Sequence, residues 1–392
     1  MLGKDREQGQ QSLPEGREKN MTREVKEKLT RVRDWMEQKS FDGTLLTTNP
    51  NFFWITGGKQ GFVDKGTMNA AAHVLLTRDK AYVICNSSER YRIMEEELTD
   101  EAFELIAYRW HGKEEEVLRP YLEGKRIASD TGIYGSENQG AELQTLRYVL
   151  TKEEEERLEE IGLESAQILE ASVRDVKQGE TEWEAAGRVA GRLMAKGYQV
   201  PVCLIASDER VLKYRHPLPT DKRIEKYVLI AICAQKYGLT SSITRLKSFG
   251  PVPEELRKKY EALLKVDAAF ILNTRAGMPV KSVLEKGYEA YRREGYEADF
   301  HLHHQGGGLG YLTRDYCAVF GTEELVLNRQ GFSWNPTIAG VKLEDTYVVH
   351  GDSQKIVTET GSWIYREVTV DGKTIQRPDI LVQQEIPSSA SI

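Results

Sequence analysis

The feature that most constrains the fold is the stretch Thr151–Val176, TKEEEERLEEIGLESAQILEASVRDV, in which Leu158, Ile161, Ala166 and Leu169 recur on or near one helical face while acids fill the other. A helix with an apolar stripe must lay it against another element, so this segment opens a new layered unit. A domain boundary is expected just before it. A second helix is expected over Thr181–Lys196, with Thr181 as its cap and acids in its first turn. The pattern then changes to strands at Leu204–Ala206, Tyr227–Cys233, Leu239–Thr244, Phe300–His304 and Thr346–Val349, with helical spacing in Pro253–Lys265 and Pro279–Glu294. This order implies an α+β unit, with helices packed on one face of a curved antiparallel sheet.

Upstream, Val25, Leu29, Val32 and Met36 are spaced for one face of a helix over Glu24–Lys39. Short β-rich runs (Gly43–Leu46, Ala72–Thr77, Ala81–Cys85, Arg126–Ser129) then alternate with helical stretches (Glu89–Leu98, Lys113–Leu122), which favours an α/β layer with a partly parallel sheet. No motif in this half supplies a nucleophile or a phosphate loop. Residues 1–20 are polar and aperiodic, and are expected to be a disordered tail or an extension ahead of a start at Met21. The expected domains are 21–150 and 151–385, followed by a flexible tail at 386–392.

Composition narrows the class. A chain of 392 residues with 40% hydrophobic content can bury the cores of about two domains. The formal charge of −7, with bases interleaved among acids, argues against nucleic acid as a partner. No apolar run has the length of a membrane span or a signal core, so a cytoplasmic protein is expected. Cys85, Cys203, Cys233 and Cys317 are far apart without CxxC pairing, and read as reduced thiols.

Motifs with fixed spacing run from Lys213 to Asp345. Ala231-Ile-Cys-Ala opens a run in which Gly238 falls seven positions on and Ser242 eleven, with Thr244-Arg245 just behind. His303-His304-Gln305-Gly306-Gly307-Gly308-Leu309-Gly310 follows, then Asn335-Pro336 and Lys342-Leu343-Glu344-Asp345. In type and spacing these resemble the aminopeptidase P, prolidase, methionine aminopeptidase and creatinase superfamily, whose catalytic domain has the pita-bread fold. The first half, chiefly through NPNFFWITGG, resembles a strand-and-turn segment of the creatinase-type amino-terminal domain. The resemblance implies an α+β pita-bread domain preceded by a creatinase-type α/β domain. It also implies a dinuclear metal centre, whose five ligand positions read Ala231, Ser242, Gly307, Asn335 and Glu344 here. Two divalent ions need several carboxylates and an imidazole, which a single Glu cannot replace. No metal and no cofactor are therefore expected.

The same resemblance places His216, in Arg215-His216-Pro217-Leu218-Pro219, where creatinase, which works without metal, has its catalytic base. Arg314 stands where creatinase also has Arg. The expected function is a metal-independent, creatinase-like hydrolase or lyase of a small polar C–N or amide compound. His216 is the proton shuttle, with His303, Arg314 and Glu344 as further catalytic residues. Substrate contacts are expected from Asn335, Ser242, His304 and Tyr311, and from Phe62 through a homodimer in which the first domain of one subunit reaches the partner's cleft. The alternatives are an Xaa-Pro aminopeptidase or prolidase, and a non-catalytic binder of peptides or a partner.

Each residue also has a plainer reading. His216 fits an exposed loop. On a strand, His303 and His304 face opposite ways, so that one of them, His303 by the resemblance, meets the cleft. Arg314 suits an ion pair with Asp315 or Glu344, Glu344 suits burial against Lys342, and Tyr311 and Trp334 suit packing.

Overall fold

The computed structural model describes residues 22–99 and 102–384, so the expected tails 1–20 and 386–392 lie outside the described residues. The chain divides into two units, one comprising the chain up to Thr48 with Gly61–Gln139, the other Asn49–Gln60 with the chain from Gly140 onward. The division thus falls after Gln139 rather than at residue 150, and a short upstream segment joins the second unit.

In the first unit the helix Arg23–Lys39 starts at Thr22, whose Oγ1 accepts the Val25 N–H at 3.3 Å, and ends at Ser40 with φ +58°. Val25, Leu29, Val32 and Met36 are buried, as their spacing requires. The strands lie in the order Glu104–Tyr108, Ala81–Asn86, Asn69–Thr77, Gly43–Thr48, Ile127–Ser129, Glu137–Asn138. Asn69–Thr77 is antiparallel to both of its neighbours and the other pairs are parallel, so the sheet is partly parallel as expected.

NPNFFWITGG departs from expectation: Asn49–Ile55 is a helix with Phe52, Phe53, Trp54 and Ile55 all buried. Pro50 sits in its first turn, where a missing N–H loses no intrahelical bond. Gly57 and Gly58, both at positive φ, end it, and the Gly58 N–H returns to the Phe53 carbonyl at 2.7 Å.

The second unit opens with the helix Lys152–Arg174. Its capping box is complete: Thr151 Oγ1 accepts the Glu154 N–H at 3.2 Å and Glu154 Oε2 accepts the Thr151 N–H at 2.7 Å. Thr181 and Glu184 repeat this at Glu182–Met194. Leu158, Ile161, Ala166 and Leu169 are buried, and the helix packs on the strand Leu239–Phe249. That strand forms an antiparallel hairpin with Tyr227–Lys236, which pairs in turn with Gln199–Ser207, while Leu381–Gln383 joins the other edge in parallel. A second antiparallel sheet runs Gly306–Gly308, Gly331–Trp334, Tyr347–His350, Ser353–Ile356. Helices Glu254–Asn273 and Val280–Arg293 pack against each other, and Gly287 lets Phe270 approach so closely that a Cβ there would lie 2.0 Å from the ring.

Phe300–His304 is not a strand. A short helix, Glu297–Phe300, is followed by a turn in which Gln305 Nε2 donates to the carbonyls of Phe300 at 2.9 Å and His303 at 2.7 Å. Among the described residues no helix is long and apolar enough to cross a membrane, and all four cysteines are free.

Candidate functional site

The hairpin sets Ala231 opposite Thr244 and Cys233 opposite Ser242. Beside it lies a cavity of about 90 Å³ whose lining includes Ala231, His304, Arg314, Asn335, Lys342 and Glu344. Glu344 is the hub. Its Oε1 accepts from Arg314 Nη2 at 2.6 Å, and its Oε2 lies 3.3 Å from Lys342 Nζ and accepts the Thr244 hydroxyl at 3.2 Å. Arg314 Nη1 reaches Ser242 Oγ at 3.2 Å. Burial by itself raises the pKa of Glu344, but Lys342 and Arg314 outweigh it and hold the carboxyl below its ordinary value. Arg314 is therefore partnered by Glu344, while Asp315 goes to Arg147 at 3.3 Å.

Lys342 was foreseen only as a partner of Glu344, not as a wall of the cavity. A signal was present: it precedes Glu344 by two positions, and alternate residues of an extended chain share a face. Asp345 is engaged elsewhere, by Arg245 at 3.0 Å and Arg377 at 2.8 Å.

The three histidines come together at the rim. His216 lies on the loop after Glu209–Lys213, anchored where the Pro217 carbonyl accepts the Ile205 N–H at 3.1 Å. Arg215 pairs with Asp299 at 2.5 Å, tying this loop to the segment that carries the other two. His216 Nε2 and His303 Nε2 are 2.8 Å apart, and the His303 and His304 rings stack at 4.5 Å. The expected division of His303 and His304 to opposite faces does not occur, because a turn, unlike a strand, sends consecutive side chains the same way. Partial desolvation lowers the pKa of all three, although His216 and His304 keep exposed surface, with further lowering from Lys342 and Arg314: His303, the least exposed, falls to about 2, His304 to about 4, and His216 below its ordinary value. None of the three hydrogen-bonds a carboxylate among the described residues.

Tyr311, Trp334, Ser242 and Phe62 each have a partner within the chain. Tyr311 is fully buried and donates to Glu154 Oε1 at 2.5 Å, so it serves the packing of the Lys152–Arg174 helix. Trp334 is buried and donates to Thr274 Oγ1 at 2.8 Å. Ser242 Oγ accepts from Arg314 and lies 3.2 Å from Cys233 Sγ. Phe62 belongs to the first unit, where its carbonyl accepts from Arg92 at 3.1 Å.

The sequence matches the profile of metallopeptidase family M24 over residues 156–351, half of the chain. The chain belongs to metallopeptidase family M24. Residues 28–176 also match the creatinase/prolidase amino-terminal domain. Among M24 relatives, the Xaa-Pro dipeptidase of Pyrococcus furiosus is 24% identical over 86% of this chain and 99% of its own length. An uncharacterized peptidase of Staphylococcus haemolyticus is 24% identical over 84% and 98%. In fold, the chain is similar to the dipeptidase structure from Pyrococcus horikoshii, at TM-score 0.75 and 18% identity over 91% of this chain and 100% of that one. It is also similar to the amino-terminal domain of the FACT subunit SPT16 from chickpea, at TM-score 0.65 and 12% identity over 86% and 97%.

The residues do not fit a dinuclear centre of the kind the M24 resemblance implies. Ala231 has no donor atom, and Asn335 offers a neutral Oδ1, buried without a hydrogen-bond partner. Gly307 has φ +155°, and a Cβ there would lie 2.2 Å from the Tyr316 carbonyl oxygen, so the backbone itself excludes a side chain. Glu344 is spent on two fixed cations. Two divalent ions would bring four positive charges to a place that supplies one carboxylate, already neutralised.

Proposed function

We propose that this M24 protein cleaves a C–N or amide bond in a small carboxylate-bearing compound without the family's dinuclear centre. The observation that carries this is the replacement of metal charge by side-chain charge. Arg314 and Lys342 against Glu344 give +1 +1 −1, a net +1 in a buried cavity. One carboxylate would neutralise it, with Asn335 available for a further hydrogen bond. A cavity of about 90 Å³ has room for a carboxylate and further atoms of a small compound. The rest of the compound then extends past the rim, which brings the bond to be cleaved near the histidines. In this reading a neutral imidazole, His216 first, takes a proton from water as it attacks, and returns it to the leaving nitrogen. The Xaa-Pro dipeptidase names of the relatives support a substrate of dipeptide type, whose carboxylate would occupy the cavity.

A second reading, binding without turnover, is favoured by one observation: among the described residues no carboxylate hydrogen-bonds the three imidazoles to orient them as bases. Thermal-shift and turnover measurements on matched dipeptides, amides and guanidino acids, each with its carboxamide analogue, separate the two. Stabilisation and product formation with the acids are expected. Equal responses to the acids and their carboxamides would refute carboxylate recognition, and stabilisation without product selects the second reading.

A further inference from the structure

We infer that His216, His303 and His304 bind one divalent transition-metal ion, zinc by its chemistry, at the rim of the cavity and apart from the family's own metal position. One ligand atom from each of the three rings falls in a group within 4.8 Å of one another. Tetrahedral zinc with nitrogens at about 2.0–2.1 Å sets them roughly 3.3 Å apart, a spacing close to that of atoms already within 4.8 Å of one another. A hydrogen bond explains only part of the cluster. The His216–His303 pair at 2.8 Å accounts for one nitrogen of each ring, whereas His304 stacks on His303, lies 5.6 Å from the His216 ring, and has the Cys317 thiol 3.9 Å from its Nδ1. His303 Nδ1 is buried with no hydrogen-bond partner. Three imidazoles brought together, one with a buried nitrogen that has no hydrogen-bond partner, are a donor set in search of a cation.

The scaffold around them is built to hold them. Gln305 pins the turn carrying His303, and the Arg215–Asp299 pair fastens the His216 loop to the Glu297–Phe300 helix just ahead of it. A neutral three-nitrogen set favours zinc, cobalt, nickel or copper over magnesium, calcium or manganese, which prefer oxygen. Cys317 Sγ lies outside the common group, which leaves the fourth position open. Arg314 and Lys342 outweigh Glu344 nearby, so an anion in that position, hydroxide or a ligand carboxylate, is favoured over neutral water. The catalytic consequence, metal-bound hydroxide in place of a weak imidazole base, rests on the proposed function; the binding site itself does not.

The test uses the full-length protein and the metal alone. Purified protein is stripped with chelator, equilibrated with zinc chloride or cobalt chloride, desalted and assayed for bound metal, with cobalt spectra recorded alongside. One ion per chain is expected, with tetrahedral-type visible absorption for cobalt. His216→Ala, exposed and therefore gentle on the fold, and His304→Gln should each lower zinc affinity at least about tenfold, the loss typical of disturbing even a supporting residue. No bound ion, two ions per chain, or affinity unchanged in both variants overturns the inference. Full turnover after complete metal removal overturns its catalytic part and leaves the proposed function standing. One ion held by the histidines in a protein that turns over no carboxylate-bearing amide leaves the metal site standing and removes the proposed function.

Discussion

Arg314→Met tests the charge replacement at Glu344 directly. The two side chains are 11% and 4% exposed and meet at 2.6 Å, so the variant leaves a buried carboxylate with only Lys342, at 3.3 Å, to oppose it. Removing one partner of a buried pair typically loses about 3–5 kcal/mol, and the remaining lysine brings the expected loss to roughly 2–4 kcal/mol at pH 7. For a unit of this size that is about 5–10 °C in Tm. The pH dependence has a definite sign. In the parent protein Glu344 has a lowered pKa, so its contribution is present above the unfolded value and is lost as pH falls through the folded one. Without Arg314 the burial effect, which raises the pKa, gains the upper hand, and protonation then favours the folded variant. The difference between the two proteins should therefore be largest near pH 7 and shrink as pH falls toward 4. Thermal melts at several pH values between 4 and 8 measure it. A loss equal at both ends of that range would refute the assignment of Glu344 as a buried charge held by Arg314, and no loss at all would refute the pair.

Gly307→Ala should lower stability by more than about 2 kcal/mol, because it meets both a positive φ and the Tyr316 carbonyl. The family's His cannot then be restored there, and a variant carrying Ala231→Asp, Ser242→Asp, Gly307→His and Asn335→Glu is expected to give little folded protein, as judged by circular dichroism and soluble yield. Gly287→Ala should lower stability by about 1–3 kcal/mol in a denaturant melt, since its methyl would overlap the Phe270 ring. Tyr311→Phe should lose about 1 kcal/mol through the bond to Glu154 while leaving ligand-induced stabilisation unchanged; a loss of ligand response would return Tyr311 to the site. Sedimentation equilibrium at micromolar protein is expected to give a dimer, with Phe62→Ala weakening ligand response but not association; a monomer removes the reason to include Phe62.

Much of the fold was legible because its signals are local. Thr151 with Glu154 and Thr181 with Glu184 lie within one turn of each other, so the helix starts could be read from spacing alone, as could the buried stripe from Leu158 to Leu169. The spacing from Ala231 to Glu344 carried the resemblance to the family, and Arg314 and Glu344 do meet. The misreadings share a cause. Asn49–Ile55, in a stretch that resembles a strand-and-turn segment of the creatinase-type domain, folds as a helix that belongs with residues beyond Gly140. His303 and His304 read as alternating, yet sit in a turn that Gln305 holds through backbone carbonyls.

What the sequence by itself determined is which side chains stand at the spaced positions, Ala231, Ser242, Gly307 and Asn335 beside Glu344, and which charges, Arg314 and Lys342, accompany them. Only the tertiary structure decided how they are used. Lys342 faces inward beside Glu344, the Tyr316 carbonyl closes the space at Gly307, and His216 meets two histidines far along the chain. Composition and short-range spacing act within a few residues, whereas each of these outcomes depends on which distant backbone packs against the site.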